Sequence, residues 1–171
     1  LKDIPTTSLL FSIFQLFVSQ EKLQKTIVNE FYHKDVVRFL KHQSVYKFLS
    51  DKNSALVDNF TEEIGKENLI FISKAQIESI LIDTTAPVKS GISAIFNSYT
   101  TINEFLDRIL NLIALLKEDV TTLEKEYLFR FYTAFTQLKT LQTEYEYFTD
   151  LKTLSLFFKQ LISSETLSFQ G

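Results

Sequence analysis

Apolar residues recur at helical spacing along almost the whole of this chain. Thr6-Thr7-Ser8 after Pro5 reads as a helix start, and apolar residues follow it to Val18. Gln20 to Asn29 is polar and reads as a frayed end or a loop. Lys34 to His42 predicts a short amphipathic helix, with Val36, Val37 and Leu40 on one face and Phe39 at its margin. Ser44 to Leu49 predicts another. Asn53 or Ser54 can cap a helix that buries Leu56, Val57, Phe60 and Ile64 and stops at a left-handed Gly65. Leu69 to Ile72 is the one internal stretch with extended character. Ser73 and Gln76 then have the spacing of a capping box, opening a helix to about Ile82.

The second half is more strongly helical. Pro87 and Gly91, close together after Thr84-Thr85-Ala86, mark a break, so two sub-halves are expected to meet near residues 84–91. Ile92 to Phe96 reads as a short turn of helix. Thr100 or Thr101 caps a helix through Lys117, with a wide stripe of Ile102, Phe105, Leu106, Ile109, Leu110, Leu112, Ile113 and Leu116. That width predicts a central helix buried on most sides. Asp119 to Thr122 supplies the next cap, for a helix to about Thr143 carrying Leu123, Tyr127, Leu128, Phe131, Phe135, Leu138 and Leu141. Asp150 caps a last helix lined by Leu151, Leu154, Phe158, Leu161 and Ile162. Leu167-Ser168-Phe169 alternates and predicts entry into a strand. The fold expected is all-α: a multi-helix bundle of about seven to nine helices over residues 1–171, with at most a very small β element near 69–72.

Composition narrows the class. The length, 171 residues, suits one domain. Only 3 Gly and 2 Pro argue against an all-β fold, which needs many turn residues. The absence of Cys excludes disulfides, thiol nucleophiles and thiolate metal sites. A net charge of −3 excludes a large positive field but leaves room for a local basic patch. No apolar run has the length of a membrane span, and no signal peptide is evident, so a cytoplasmic location is expected. The chain starts at Leu1 and has no Met, which reads as a piece excised from a longer protein.

Catalytic chemistry is hard to build from these residues. His33 and His42, nine apart, are not a metal-binding pair on one helix face, and read as surface or interface histidines. Glu62-Glu63 and Glu124/Glu126 are neighbours in sequence whose side chains diverge on a helix, so they read as solvated faces. The glycines are isolated, so there is no phosphate loop, and Ser79, Ser90 and Ser93 lack a nucleophile-elbow setting. Most of the 17 Phe lie on helical periods with Leu and Ile, which places them in a core. No cofactor is expected and the chain reads as non-enzymatic.

One local feature has geometry behind it. Residues 21–47 carry six Lys or Arg against three acids. Within them Lys34, Arg38 and Lys41 fall within about 60° of one another, opposite the apolar face. They are the candidate DNA-contacting residues, placed where they can be altered without touching the core.

The run Phe31-Tyr32-His33-Lys34-Asp35-Val36-Val37-Arg38-Phe39-Leu40-Lys41-His42 resembles an "FYxKDVxxxLxH" stretch of bacterial AddB-type and RecC-like helicase–nuclease proteins. The opening Leu1-Lys2-Asp3-Ile4-Pro5 resembles the stretch after their "NxTMGYP" strand and turn. The close, from Leu151 to Gly171, resembles the lead-in to their "GEPLxGLQxMGxLExR" motif in the motif V region. The middle, about residues 50–120, carries no such likeness. The resemblance implies the helical insertion between helicase motifs IV and V, a 2B-like domain. Such a domain holds no Walker lysine, arginine finger or nuclease carboxylate, and contributes to DNA binding and subunit architecture in double-strand-break repair. The partners implied are the remainder of its own chain, a helicase–nuclease partner subunit and DNA, in a bacterial cytoplasm and without a membrane. The alternatives are a helical protein–protein scaffold with no nucleic-acid role, and a small-ligand-binding domain with a Phe-lined cavity.

Overall fold

A computed structural model describes residues 5–23, 30–50, 55–82, 86–117 and 121–168. Among them are nine helices and one two-stranded sheet: α1 (Pro5–Leu23), β1 (Glu30–Tyr32), α2 (His33–Leu40), α3 (Gln43–Ser50), α4 (Leu56–Lys66), β2 (Phe71–Ser73), α5 (Lys74–Ile80), α6 (Ala86–Ile95), α7 (Ile102–Leu116), α8 (Thr122–Tyr145) and α9 (Leu151–Ser168). The chain is all-α with a minor β element. No helix among the described residues is long and apolar enough to cross a membrane.

The core is organised by phenylalanine. Phe39, Phe96, Phe31, Phe17, Phe105, Phe14, Phe158 and Phe135 form an unbroken chain of ring contacts, with centroids 5.2–5.6 Å apart at each step. Every one of these rings is fully buried. Edge-on and tilted ring pairs of this kind add roughly 0.5–1.5 kcal/mol each beyond simple burial. The chain of rings starts in α2, crosses β1, α1 and α7, and ends where α9 meets α8. Residues on both sides of 84–91 therefore share one hydrophobic cluster.

The central helix is α7. All eight apolar residues of its stripe are buried. Thr101 caps it, its hydroxyl accepting from the Glu104 N–H at 3.2 Å. Reciprocal capping boxes open α5 and α8: Ser73 with Gln76, and Thr121 with Glu124. Asp150 caps α9, Oδ1 accepting from the Thr153 N–H at 2.7 Å. Each such cap is worth about 1 kcal/mol.

Several local expectations give way to tertiary context. The extended stretch does form β2, but its partner β1 lies in a segment the apolar pattern did not mark. The pair is antiparallel, with Phe31 opposite Ile72, and both are buried. A strand of three residues has too little alternation to be read from sequence. Gly65 lies inside α4, and the left-handed residue is Asn68, φ 51°. Asn tolerates that region because its short polar side chain bonds locally. Pro87 and Gly91 lie inside α6 rather than in a loop. Leu167 and Ser168 continue α9 as helix. On α2 the buried set is Asp35, Val36, Phe39 and Leu40, so Phe39 is central and Val37 only half-buried. Leu123, placed on the apolar face of α8, is 60 % exposed. Asn53, Ser54, Thr84, Thr85, Asp119, Leu1 and Phe169, each invoked as a cap, break or end, lie outside the described residues.

Candidate nucleic-acid interface

The basic strip sits on α2, the helix that follows β1. Phe31 and Ile72 anchor the sheet in the core, and the His33 N–H donates to the Ile70 carbonyl at 3.0 Å, extending the ladder by one residue. Tyr32 is the N-cap in extended conformation, so the chain turns directly from strand to helix. Val36, Phe39 and Leu40 pin the inner face of α2. Lys34, Arg38 and Lys41 consequently all point to solvent. Lys41 is the C-cap but keeps right-handed backbone, φ −87° and ψ −3°, so the strip continues past the last full turn. At the head of the strip the Tyr32 and His33 rings meet edge to face, 4.9 Å apart.

Arg38 is not an independent cation. Its Nη1 donates to Asp35 Oδ1 at 3.3 Å, with the Arg38 side chain 60 % exposed and the Asp35 side chain 5 % exposed. The other carboxylate oxygen, Asp35 Oδ2, is buried with no hydrogen-bond partner. Arg38 is the compensation for a buried carboxylate as well as a surface charge. The expectation that all three residues can be altered without touching the core therefore holds only for Lys34 and Lys41. Periodicity signalled the strip but not Asp35, because an acid in the first turn of a helix reads as a favourable dipole contact at the surface.

His42 closes the α2–α3 turn onto α1. Its Nδ1 accepts from the Ser44 N–H at 3.3 Å, and Nε2 lies 2.8 Å from Ser8 Oγ, which itself donates to the Pro5 carbonyl at 2.9 Å. With Nδ1 accepting and Ser8 already donating, the network assigns the neutral ring with its proton on Nε2. Burial holds the His42 pKa below its ordinary value. It is an interface histidine within the fold.

The paired carboxylates do not converge. Glu62 pairs with Lys66 at 2.8 Å, Glu124 serves its cap, and Glu126 pairs with Arg130 at 2.9 Å. Among the described residues no group of three or more His, Cys, Asp or Glu is arranged to hold a metal ion. Ser93 donates to Glu78 at 2.8 Å, and Glu78 pairs with Lys74.

Two concavities lie away from the strip. Between α8 and α9 is an open apolar groove of about 560 Å³, lined among others by Phe129, Thr133, Ala134, Leu141, Phe157 and Leu161. Phe129 at its edge is 63 % exposed. A cleft of mixed polar and apolar lining, about 520 Å³, is walled by the end of α1, the start of α7, the end of α8 and the α8–α9 turn. Neither was legible in the sequence: the cleft brings the end of α1 to elements far along the chain, and the groove depends on how α9 packs on the preceding α8.

No protein-family model matches this chain, and no curated protein or solved structure gives a significant match.

Proposed function

We propose that this chain is a non-catalytic, DNA-contacting helical domain of a bacterial helicase–nuclease subunit of the AddB type, acting in double-strand-break processing. One observation carries the reading: Lys34, Arg38 and Lys41 are exposed together along one strip of α2, on a helix fixed to the core by its opposite face. A row of cations one helical turn apart suits successive phosphates, and phosphate contacts dominate nucleic-acid affinity. Asp35 restrains the Arg38 guanidinium, and the edge-to-face Tyr32–His33 ring pair stands at the head of the strip. The "FYxKDVxxxLxH" likeness falls on this same segment. The domain brings no phosphate loop, so hydrolysis belongs to other parts of such a subunit. Its partners are the remainder of its own chain, a partner subunit and DNA.

Fluorescence anisotropy with a DNA duplex at several salt concentrations tests this. Three phosphate contacts give weak binding whose log affinity falls with log salt at a slope of about −2.7. A Lys34→Glu, Lys41→Glu double variant, which spares the Asp35 partner, should bind several-fold more weakly with a shallower slope. Equal affinity and slope in the variant would remove the strip from the interface.

A second reading, a protein–protein scaffold, is favoured by the α8–α9 groove. Its apolar lining between two helices and the small Ala134 in its wall suit the apolar face of an amphipathic partner helix. A partner that binds tightly at high salt and is lost on Ala134→Arg would put this reading first.

A further inference from the structure

Among the described residues, the large apolar and aromatic side chains that stay exposed gather on one side of the molecule. Leu123, Phe129, Tyr132, Tyr145, Tyr147 and Leu156 all lie on α8, the turn after it or α9, and only Ile70 and Ile82 lie elsewhere. Exposed apolar side chains concentrated in this way mark an interaction surface. The α8–α9 groove runs through the same side, with Phe129 at its edge.

α8 is prepared for burial there. From Phe131 to Leu138 it carries no charged residue. Its exposed threonines have their hydroxyls engaged on the helix itself. Thr136 donates to the Tyr132 carbonyl at 2.8 Å, Thr140 to the Thr136 carbonyl at 3.1 Å and Thr143 to the Lys139 carbonyl at 2.8 Å. Those donors do not depend on water, so covering them costs little.

The surface is also complementary to itself. Arg130, Thr133, Gln137 and Leu141 line the groove and follow one another three or four residues apart, and Glu144 comes next on the same line along α8. A base stands seven residues before Gln137 and an acid seven residues after it. Laid antiparallel on a second copy about Gln137, this line sets Arg130 level with Glu144, Thr133 level with Leu141, and the exposed Phe129 level with the exposed Tyr145. Arg130 already holds Glu126 at 2.9 Å, and the five donors of a guanidinium allow it a second carboxylate. Antiparallel packing also opposes the two α8 dipoles favourably. A parallel pair would instead set Arg130 against Arg130 and Glu144 against Glu144, which like charges resist.

We propose that the partner on this surface is a second copy of the chain, packed antiparallel along α8 in a two-fold homodimer with Gln137 at the axis. The same patch then serves both subunits, and the two grooves close on each other. The proposal is independent of the DNA-contacting role; it rests on the second reading, of the groove as a protein-binding surface, and names the partner.

Sedimentation equilibrium of this chain from micromolar to millimolar concentration tests it, with a monomer–dimer equilibrium expected. Gln137 is exposed, so its replacement leaves the fold intact, which circular dichroism checks. Gln137→Glu and Gln137→Lys each set like charges against each other across the axis, and each should weaken the dimer about tenfold. An equimolar mixture of the two variants should regain it, because opposite charges then meet. A wild-type chain that is monomeric throughout would overturn the proposal while leaving the groove to a partner of another sequence. So would self-association that both variants leave unchanged, or that mixing them fails to restore.

Discussion

A methyl group placed on Gly91 lands 2.5 Å from Leu115 Cδ2. Gly91 lies in the middle of α6, where glycine costs roughly 0.5–1 kcal/mol relative to alanine. The tip of the half-buried Leu115 side chain on α7 occupies the space a Cβ would need. Gly91→Ala should therefore destabilise by about 1 kcal/mol in chemical denaturation, as overpacking does. In a Leu115→Ala background the same change should stabilise by about 0.5–1 kcal/mol. A double-mutant cycle that shows no coupling would mean that Leu115 moves aside freely.

Arg38→Ala should be costlier than Lys34→Ala. Both side chains are exposed, but removing Arg38 leaves the Asp35 carboxylate buried without compensation. A loss of about 1–2 kcal/mol is expected for Arg38→Ala and close to zero for Lys34→Ala. Asp35→Asn in the Arg38→Ala background should recover much of the difference. Equal denaturation midpoints for the two single variants would show that Asp35 does not depend on its partner.

Stability should fall in mildly acidic solution through His42. Its folded pKa lies below the unfolded value of 6.5, because burial disfavours the charged ring. Above pH 6.5 the ring is neutral in both states and its contribution is complete. As the pH falls below that value the unfolded chain takes up the proton first, and the contribution is lost down through the folded pKa. Protonating Nδ1 would also set two N–H groups against each other at Ser44. Thermal melts of the wild type and His42→Gln should differ most at pH 7.5 and draw together as the pH falls below 6.5. A constant difference across that range would contradict the assignment.

What the sequence disclosed divides by range. The α7 stripe was complete, residue for residue, because a helix buried on most sides leaves an unambiguous pattern. The Ser73 and Asp150 caps were equally plain, since their partners lie three residues away. Long-range partners decided the rest. Phe31 makes a strand because Ile72 lies opposite and Phe17 and Phe96 pack on its ring. Gly91 reads as a turn residue until Leu115 is placed against it. The exposed basic strip followed from periodicity alone, whereas the burial of Asp35 beside it depends on neighbours that no local window contains.

Hydrogen–deuterium exchange on this chain, with and without a DNA duplex at low salt, tests the DNA-contacting role most directly. Bound DNA should slow exchange in residues 33–44, the α2 helix and the turn closed by His42, and leave the α8–α9 groove unchanged. Protection confined to α8 and α9, or none anywhere at saturating DNA, would contradict it.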